Sequence, residues 1–252
     1  MKFVRYASGL WGKYGLVEGE QVREIQGDIF GPFDLTDRVY PLASLKILPP
    51  CTPSKMVIVG LNYAGHAKET GQPKPEVPQF FPLAANAIIA HGEPIILPPG
   101  IGRVDFEAEL VVIIGRVTKG VPPEQALAYV VGYTCGNDVS ARDLQWGQSN
   151  LPRGKTIDTF APLGPFVETE LDPGDVQVES RVNGLLRQSS HSSEMIFPVP
   201  VLVSAISQHV TLYPGDVIFT GTPQGIGSLG PGDVVEVTVD KIGTLRNPVV
   251  EG

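Results

Sequence analysis

Cysteine is almost absent from this chain. The 252 residues include two, Cys51 and Cys135, which is too few for a disulfide framework and lacks the spacing of a metal-binding cluster. Both read as buried apolar residues of a cytoplasmic protein. Clustered positive charge is missing as well. Lys and Arg number 19 against 27 Asp and Glu, for a net charge of −8, and no basic run occurs, so nucleic acid and anionic membrane are excluded as expected partners. No apolar stretch approaches the ~18 residues of a spanning helix, and Met1–Tyr6 lacks the apolar core of a signal peptide. Long helical patterns are also lacking. What is plentiful is Gly (29) and Pro (24), evenly scattered, which implies many turns and short strands.

The expected fold class is mainly β, a mixed α+β chain with two or three helices. Residues 2–7, 14–18 and 21–25 read as strands, the last two joined at Gly19-Glu20, so residues 1–50 form a small N-terminal β module. Pro49-Pro50-Cys51-Thr52-Pro53 is a stiff connector, and 51–252 form the larger unit. Lys55–Gly60 reads as a short buried strand. Asn62–Gln79 holds too many Gly and Pro for a long element and reads as a flap with one short helical turn. A helix is expected from Pro122 to Tyr129, with proline at its first positions, and a second over Val139–Gln145. The C-terminal half reads as strand after strand. Pro-Gly-Asp at 173–175, 214–216 and 231–233 opens separate strands, and Val182-Asn183-Gly184-Leu185 signals a hairpin. Gly225-Ile226-Gly227-Ser228-Leu229-Gly230 has the spelling of a dinucleotide fingerprint. It runs into Pro231-Gly232-Asp233 and a strand, not the helix that a pyrophosphate needs.

The chemistry is carried by acids. Glu107 and Glu109 precede a β-branched run, so on a strand they share a face with Val111 and Ile113, about 7 Å apart. Two like charges aimed inward are costly unless a cation joins them. With Asp138 they make three hard oxygen donors and no thiolate, a set suited to Mg²⁺, Mn²⁺ or Ca²⁺ and not to zinc. A solvated strand face accommodates the same glutamates without an ion. His66 and Glu69 stand at i and i+3, where a carboxylate can fix the imidazole tautomer for general-base work. The same spacing occurs in ordinary surface pairs. Lys155 alone reads as a surface lysine.

Taken together, several motifs resemble the fumarylacetoacetate hydrolase family over nearly all of residues 53–252. They are Gly-Leu-Asn-Tyr-x-x-His-x-x-Glu from Gly60, Asp-x-Glu-x-Glu-Leu from Asp105 and Gly132-Tyr133-Thr134-Cys135-Gly136-Asn137-Asp138. Further along come Ser140-Ala141-Arg142-Asp143, Lys155 with Asp158-Thr159-Phe160, Thr220-Gly221-Thr222-Pro223, and Ile242–Pro248. The resemblance implies a mixed β-sandwich roll, a homodimer, and one Mg²⁺ or Mn²⁺ held by Glu107, Glu109 and Asp138. It implies a catalytic dyad of His66 and Glu69, an active-site Lys155, pocket residues Arg142 and Gln145, and a substrate-carboxylate contact at Thr222. Leu83 stands where many relatives carry a lysine. The implied activity is metal-dependent chemistry beside the keto or enol group of a 2-oxo acid. The N-terminal module resembles that of bacterial members acting as 2-hydroxyhepta-2,4-diene-1,7-dioate isomerases, so isomerase chemistry with decarboxylase activity in aromatic catabolism is expected. Acylpyruvate hydrolase, oxaloacetate decarboxylase and a catalytically silent ligand-binding member are the alternatives.

Overall fold

The computed structural model describes residues 1–9, 11–145 and 151–252. At its centre runs the strand Ala108–Ile114, every residue of which is buried. A strand covered on both faces needs no polar alternation, which is why its stretch from Leu110 to Ile114 reads as a continuous apolar run. Val111 and Ile113 pack with Met56, Ile58, Leu163 and Phe219 on one side. Leu110, Val112 and Ile114 pack with Val178, Val237, Leu202 and Ile206 on the other.

That strand belongs to an 11-stranded sheet ordered Phe33–Pro41, Gln21–Gly27, Trp11–Glu18, Lys2–Ser8, Ala161–Glu168, Val130–Asn137, Ala108–Ile114, Val217–Phe219, Met56–Gly60, Gln79–Leu83, with Ile88–Ile89 beside Ala161–Glu168. A five-stranded sheet, ordered Leu185–His191, Gln177–Val182, Val234–Val239, Gly243–Glu251, Ile95–Leu97, covers one of its faces. A third sheet of three short strands, Ser140–Ala141, Val104–Phe106 and Gly227–Ser228, adjoins the site described below. The chain is mainly β, with two large sheets enclosing the principal core. Among the described residues no helix is long and apolar enough to cross a membrane.

The N-terminal segment has four strands where three were expected. The fourth, Phe33–Pro41, is an edge strand with no fully buried residue; Phe33 and Tyr40 pack against the core while partly exposed, which leaves little alternation for a pattern to reveal. Nor do these strands make a sheet of their own. Phe3 pairs with Val167 and Val4 with Phe166, so the meander continues the large sheet.

Two helix expectations are corrected. Over Val139–Gln145 only Arg142–Gln145 is helical. Ser140 and Ala141 are extended because they pair with Asp105 and Val104, which takes up their backbone groups. The C-terminal half also contains an 11-residue helix, Val199–His209. Its β-branched residues and prolines favour a strand reading, but Pro198 and Pro200 fall at the N-terminus, where a missing N–H costs nothing. Leu202, Val203 and Ile206 then bury against the core. The other expected helix is present as Pro123–Ala126 followed by a 3-10 turn, Leu127–Tyr129. The hairpin forms at Asn183-Gly184, with Val182 opposite Leu185.

Candidate active site

Strand register brings the third carboxylate to the other two. Asn137 lies opposite Ala108, so the next residue, Asp138, falls beside Glu107, and its N–H donates to the Glu107 carbonyl at 2.9 Å. The close approach requires glycine at 136, where a Cβ would stand 2.5 Å from Val111 Cγ2 and 2.6 Å from the Phe219 ring. One carboxylate oxygen each from Glu107, Glu109 and Asp138 lie within 4.8 Å of one another, and all three residues are buried. They are not on a solvated strand face.

The cluster has its own cations. Lys155 donates to Glu107 Oε2 at 2.7 Å and also to Asp138 Oδ2. Arg142 donates through Nη2 to Glu107 Oε1 at 2.5 Å, through Nε to Asp105 Oδ2 at 2.8 Å, and through Nη1 to Gln145 Oε1 at 3.0 Å. Arg103 closes on Asp105 from the other side with bonds of 2.8 and 3.1 Å. Asp105 is thus a buried orienter of Arg142 that the Asp-x-Glu-x-Glu spelling contained but that strand-face reasoning passed over.

These pairings set the acidities apart. Burial alone would raise Glu107, but the Lys155 and Arg142 charges outweigh it and hold the carboxyl at about 2. Burial pushes Asp138 up to about 6 despite Lys155. Burial, joined by the Asp138 charge, drives Glu109 well above the ordinary carboxylate range. The only hydrogen bond to the Glu109 carboxylate among the described residues is the Gly221 N–H, at 2.7 Å.

The residues fit a divalent cation. Fully ionised, the four carboxylates of Asp105, Glu107, Glu109 and Asp138 meet three cationic side chains, of Arg103, Arg142 and Lys155, which leaves one negative charge in excess, and the upward push on Glu109 expresses that excess. Among the described residues Asp138 Oδ1 is buried without a hydrogen-bond partner, an expensive state for a carboxylate oxygen. Hard oxygens, surplus charge and an orphaned acceptor all suit Mg²⁺ or Mn²⁺.

Across the cavity stands the short helix Ala64–Glu69, within the expected flap. His66 Nδ1 lies 3.3 Å from Glu69 Oε2. Glu69 is itself held, because the Gly225 N–H donates to its two oxygens at 3.1 and 3.2 Å. The glycine-rich loop that mimics a dinucleotide fingerprint therefore binds a carboxylate of the protein itself. Gly65 lies against the same loop, and a Cβ there would come within 2.1 Å of Gln224 Oε1. Gly65→Ala is expected to cost the helix about 1 kcal/mol, the low end for overpacking because an amide terminus can swing aside. Hydrogen exchange of the residue 64–69 amides should then quicken roughly fivefold. Unchanged exchange would show that the loop does not hold the helix.

A cavity of about 690 Å³ joins these groups. It is lined by His66 and Glu69 together with Glu107, Glu109, Arg142 and Lys155, and also by Gln145 and Thr222. Asp138 is not among the lining residues and is in contact with one of them, Lys155. Leu83 is not among the lining residues; it is buried in the large sheet opposite Met56. The Thr222 hydroxyl donates to the Ala108 carbonyl at 2.9 Å and accepts from Gln188 Nε2 at 2.8 Å. Its proton is therefore committed inward, while its N–H makes no hydrogen bond among the described residues. Asn62, fully buried, ties the corner before the helix to Phe197 and Thr220, with donor bonds of 3.0 and 2.7 Å. A larger cavity, about 830 Å³, lies among Arg5, Lys13, Glu24 and Arg38. Its one buried acid, Glu24, is already paired with Lys13 and Arg38, so it offers no comparable reactive group.

Comparison with known proteins places the chain in a family. Residues 55–250 match the family model described as "Fumarylacetoacetate (FAA) hydrolase C-terminal", and residues 1–50 match "Rv2993c-like, N-terminal". A structure of 5-carboxymethyl-2-hydroxymuconate delta-isomerase from Mycobacterium smegmatis is 43% identical, with a TM-score of 0.93 and 100% of each chain covered. One of 2-hydroxyhepta-2,4-diene-1,7-dioate isomerase from Mycobacterium marinum is 41% identical, with a TM-score of 0.93, covering 100% of this chain and 98% of the other. Oxaloacetate tautomerase FAHD2B, mitochondrial, from Bos taurus is 43% identical over 84% of this chain and 72% of its own length. The chain belongs to the fumarylacetoacetate hydrolase family.

Proposed function

We propose that the chain catalyses proton transfer beside the keto or enol group of a 2-oxo acid, and specifically the isomerisation of 2-hydroxyhepta-2,4-diene-1,7-dioate. The observation that carries this reading is the convergence of two unlike groups on one cavity. One is a buried carboxylate triad short of positive charge; the other is an imidazole held by a carboxylate. The names of the similar proteins support it, since isomerase and tautomerase both denote rearrangement without loss or gain of atoms.

Mg²⁺ or Mn²⁺ held by Glu107, Glu109 and Asp138 would supply Lewis-acid polarisation of the C2 oxygen and an anchor for the C1 carboxylate. The surplus charge at the site then becomes positive by one, which favours an anionic substrate. Lys155, fixed between Glu107 and Asp138, stabilises negative charge growing on the C2 oxygen, an effect that can reach several kcal/mol in a site shielded from water. Arg142, held by Asp105 and Gln145, keeps Glu107 ionised. The Thr222 N–H is the free donor for a substrate carboxylate. His66 carries the proton: the C2 hydroxyl proton is lost, the O–H pair forms the C2 carbonyl, the C2=C3 pair shifts to C3–C4, and the C4=C5 pair takes up a proton at C5. Glu69 holds the imidazole in one tautomer for this task.

A second reading, keto–enol interconversion of oxaloacetate, is favoured by the identity to a tautomerase and uses the same groups with the proton moved at C3. A panel of 2-hydroxyhepta-2,4-diene-1,7-dioate, oxaloacetate and acylpyruvates, assayed with EDTA and after Mn²⁺ is restored, tests both. The expected result is EDTA-sensitive rearrangement of the dienoate. Carbon dioxide release or hydrolytic cleavage as the sole turnover would replace this reading with decarboxylase or acylpyruvate hydrolase. Metal-dependent turnover of none of them would leave a silent ligand-binding member.

A further inference from the structure

Gln188 lies in the strand Leu185–His191, outside every motif considered above, and is completely buried. Its carboxamide makes four hydrogen bonds. Oε1 accepts from the Ala108 N–H at 3.0 Å and from the Ser180 hydroxyl at 2.9 Å. Nε2 donates to Thr222 Oγ1 at 2.8 Å and to the Pro223 carbonyl at 2.8 Å. These use the full capacity of an amide group.

The orientation is forced. A backbone N–H can only donate and the Pro223 carbonyl can only accept, so turning the amide over would oppose N–H to N–H and oxygen to oxygen. With Nε2 pointed at Thr222, that hydroxyl must accept, and its own proton is left for the Ala108 carbonyl. Both halves of the Ala108 backbone are thereby fixed, the N–H by Gln188 and the C=O by Thr222. Ala108 is the residue between Glu107 and Glu109. Its two neighbours in sequence must present their carboxylates at one spacing for one ion, and the strand is interrupted at Glu107, so the sheet alone does not impose that spacing.

We propose that Gln188 is a positioning residue: it locks the backbone between the two metal-binding glutamates to the Thr222 loop, and so presets both the ligand spacing and the direction of the Thr222 hydroxyl. The proposal rests on the triad holding a divalent cation, and not on which 2-oxo acid is rearranged. Residues that orient metal ligands typically change affinity or activity by about 10–100-fold when replaced. The Thr222 hydroxyl, its proton committed, is not the donor to a substrate carboxylate.

Gln188→Met keeps the volume and removes all four bonds, so it separates positioning from packing. Ser180→Ala serves as the control, since it loses one bond to the same amide while the bonds from that amide to Ala108 and Thr222 remain. Mn²⁺ affinity, measured without substrate by paramagnetic resonance of the free ion, is the first readout. Exchange of the Ala108 amide is the second, and kcat against KM the third. For Gln188→Met the expected result is Mn²⁺ binding about 10–100-fold weaker, a faster-exchanging Ala108 amide and a lowered kcat well below the melting temperature. Ser180→Ala should stay near wild type in all three. A folded Gln188→Met protein with a lower Tm but wild-type Mn²⁺ affinity and kcat would overturn the proposal and leave Gln188 a packing residue. If Gln188→Met does not fold, Thr222→Val decides, because it cuts the link to Ala108 while Gln188 stays in place. Weakened Mn²⁺ binding supports the proposal and unchanged binding overturns it. Failure of the wild-type protein to bind Mn²⁺ would defeat the metal reading itself, an outcome distinct from the others.

Discussion

Glu109→Gln is expected to abolish tight Mn²⁺ or Mg²⁺ binding while leaving the metal-free protein at least as stable as the wild type. Glu107→Gln is expected to lose the metal and the stability together. The two glutamates share a strand face and differ in what surrounds them. Among the described residues, Glu109 is a buried carboxylate with no cation in hydrogen-bonding contact, receiving only the Gly221 N–H. Neutralising it relieves repulsion with Asp138 and removes a charge from a site that binds by charge count. Glu107 is clasped by Lys155 and Arg142. Its loss leaves two buried cations short of a partner, at a cost of about 3 kcal/mol, the low end for a broken buried pair because Asp138 and Asp105 remain. Thermal melts with and without Mn²⁺ resolve the pair. Glu109→Gln should lose the metal-induced rise in Tm from an unchanged baseline, and Glu107→Gln should start lower. Equal metal-free melting temperatures would contradict the charge distribution described for the site.

His66→Ala should slow isomerisation by roughly 10²-fold or more while leaving Mn²⁺ affinity intact. His66 hydrogen-bonds to Glu69 and to none of the three acids of the triad, so its removal takes away the proton carrier and spares the cation site. Any decarboxylation of oxaloacetate, which needs an electron sink at C2 and no positioned base, should largely survive. Lys155→Ala should depress both reactions, because that ammonium bridges Glu107 and Asp138. Parallel rates on the two mutants check this division of labour. Equal losses for His66→Ala in both reactions would mean that the dyad organises the whole site.

The parts of the site legible in the sequence were those with a local signature. The strand through Val111 and Ile113 announced itself by its β-branched run, and the i, i+2 spacing placed Glu107 and Glu109 together. Asp138 could be grouped with them as a third hard oxygen donor, but no local pattern places it beside them, since its approach depends on the pairing of Asn137 with Ala108. Gln188 left no trace. It stands in the polar run Arg187-Gln188-Ser189-Ser190, and its importance arises from contacts with Ala108 and Thr222, distant in sequence. The helix Val199–His209 was hidden for the opposite reason. Its local signal favours a strand, and burial of Leu202, Val203 and Ile206 overrides that preference. The exposed strand Phe33–Pro41 lacks the alternation on which strand recognition relies.

The join between Lys2–Ser8 and Ala161–Glu168 also bears on how the chain is made. Synthesis runs from the N-terminus at about 5–20 residues per second, so the first strand leaves the ribosome on the order of ten seconds before its partner exists. The hairpins linking the first four strands are local and close on the microsecond scale, so the nascent meander has time to form and wait with its Lys2–Ser8 edge open. Such an edge invites pairing with a neighbouring chain. Lys2 and Arg5 lie along it, and their charges discourage that mispairing until Ala161–Glu168 arrives to use the meander as its template.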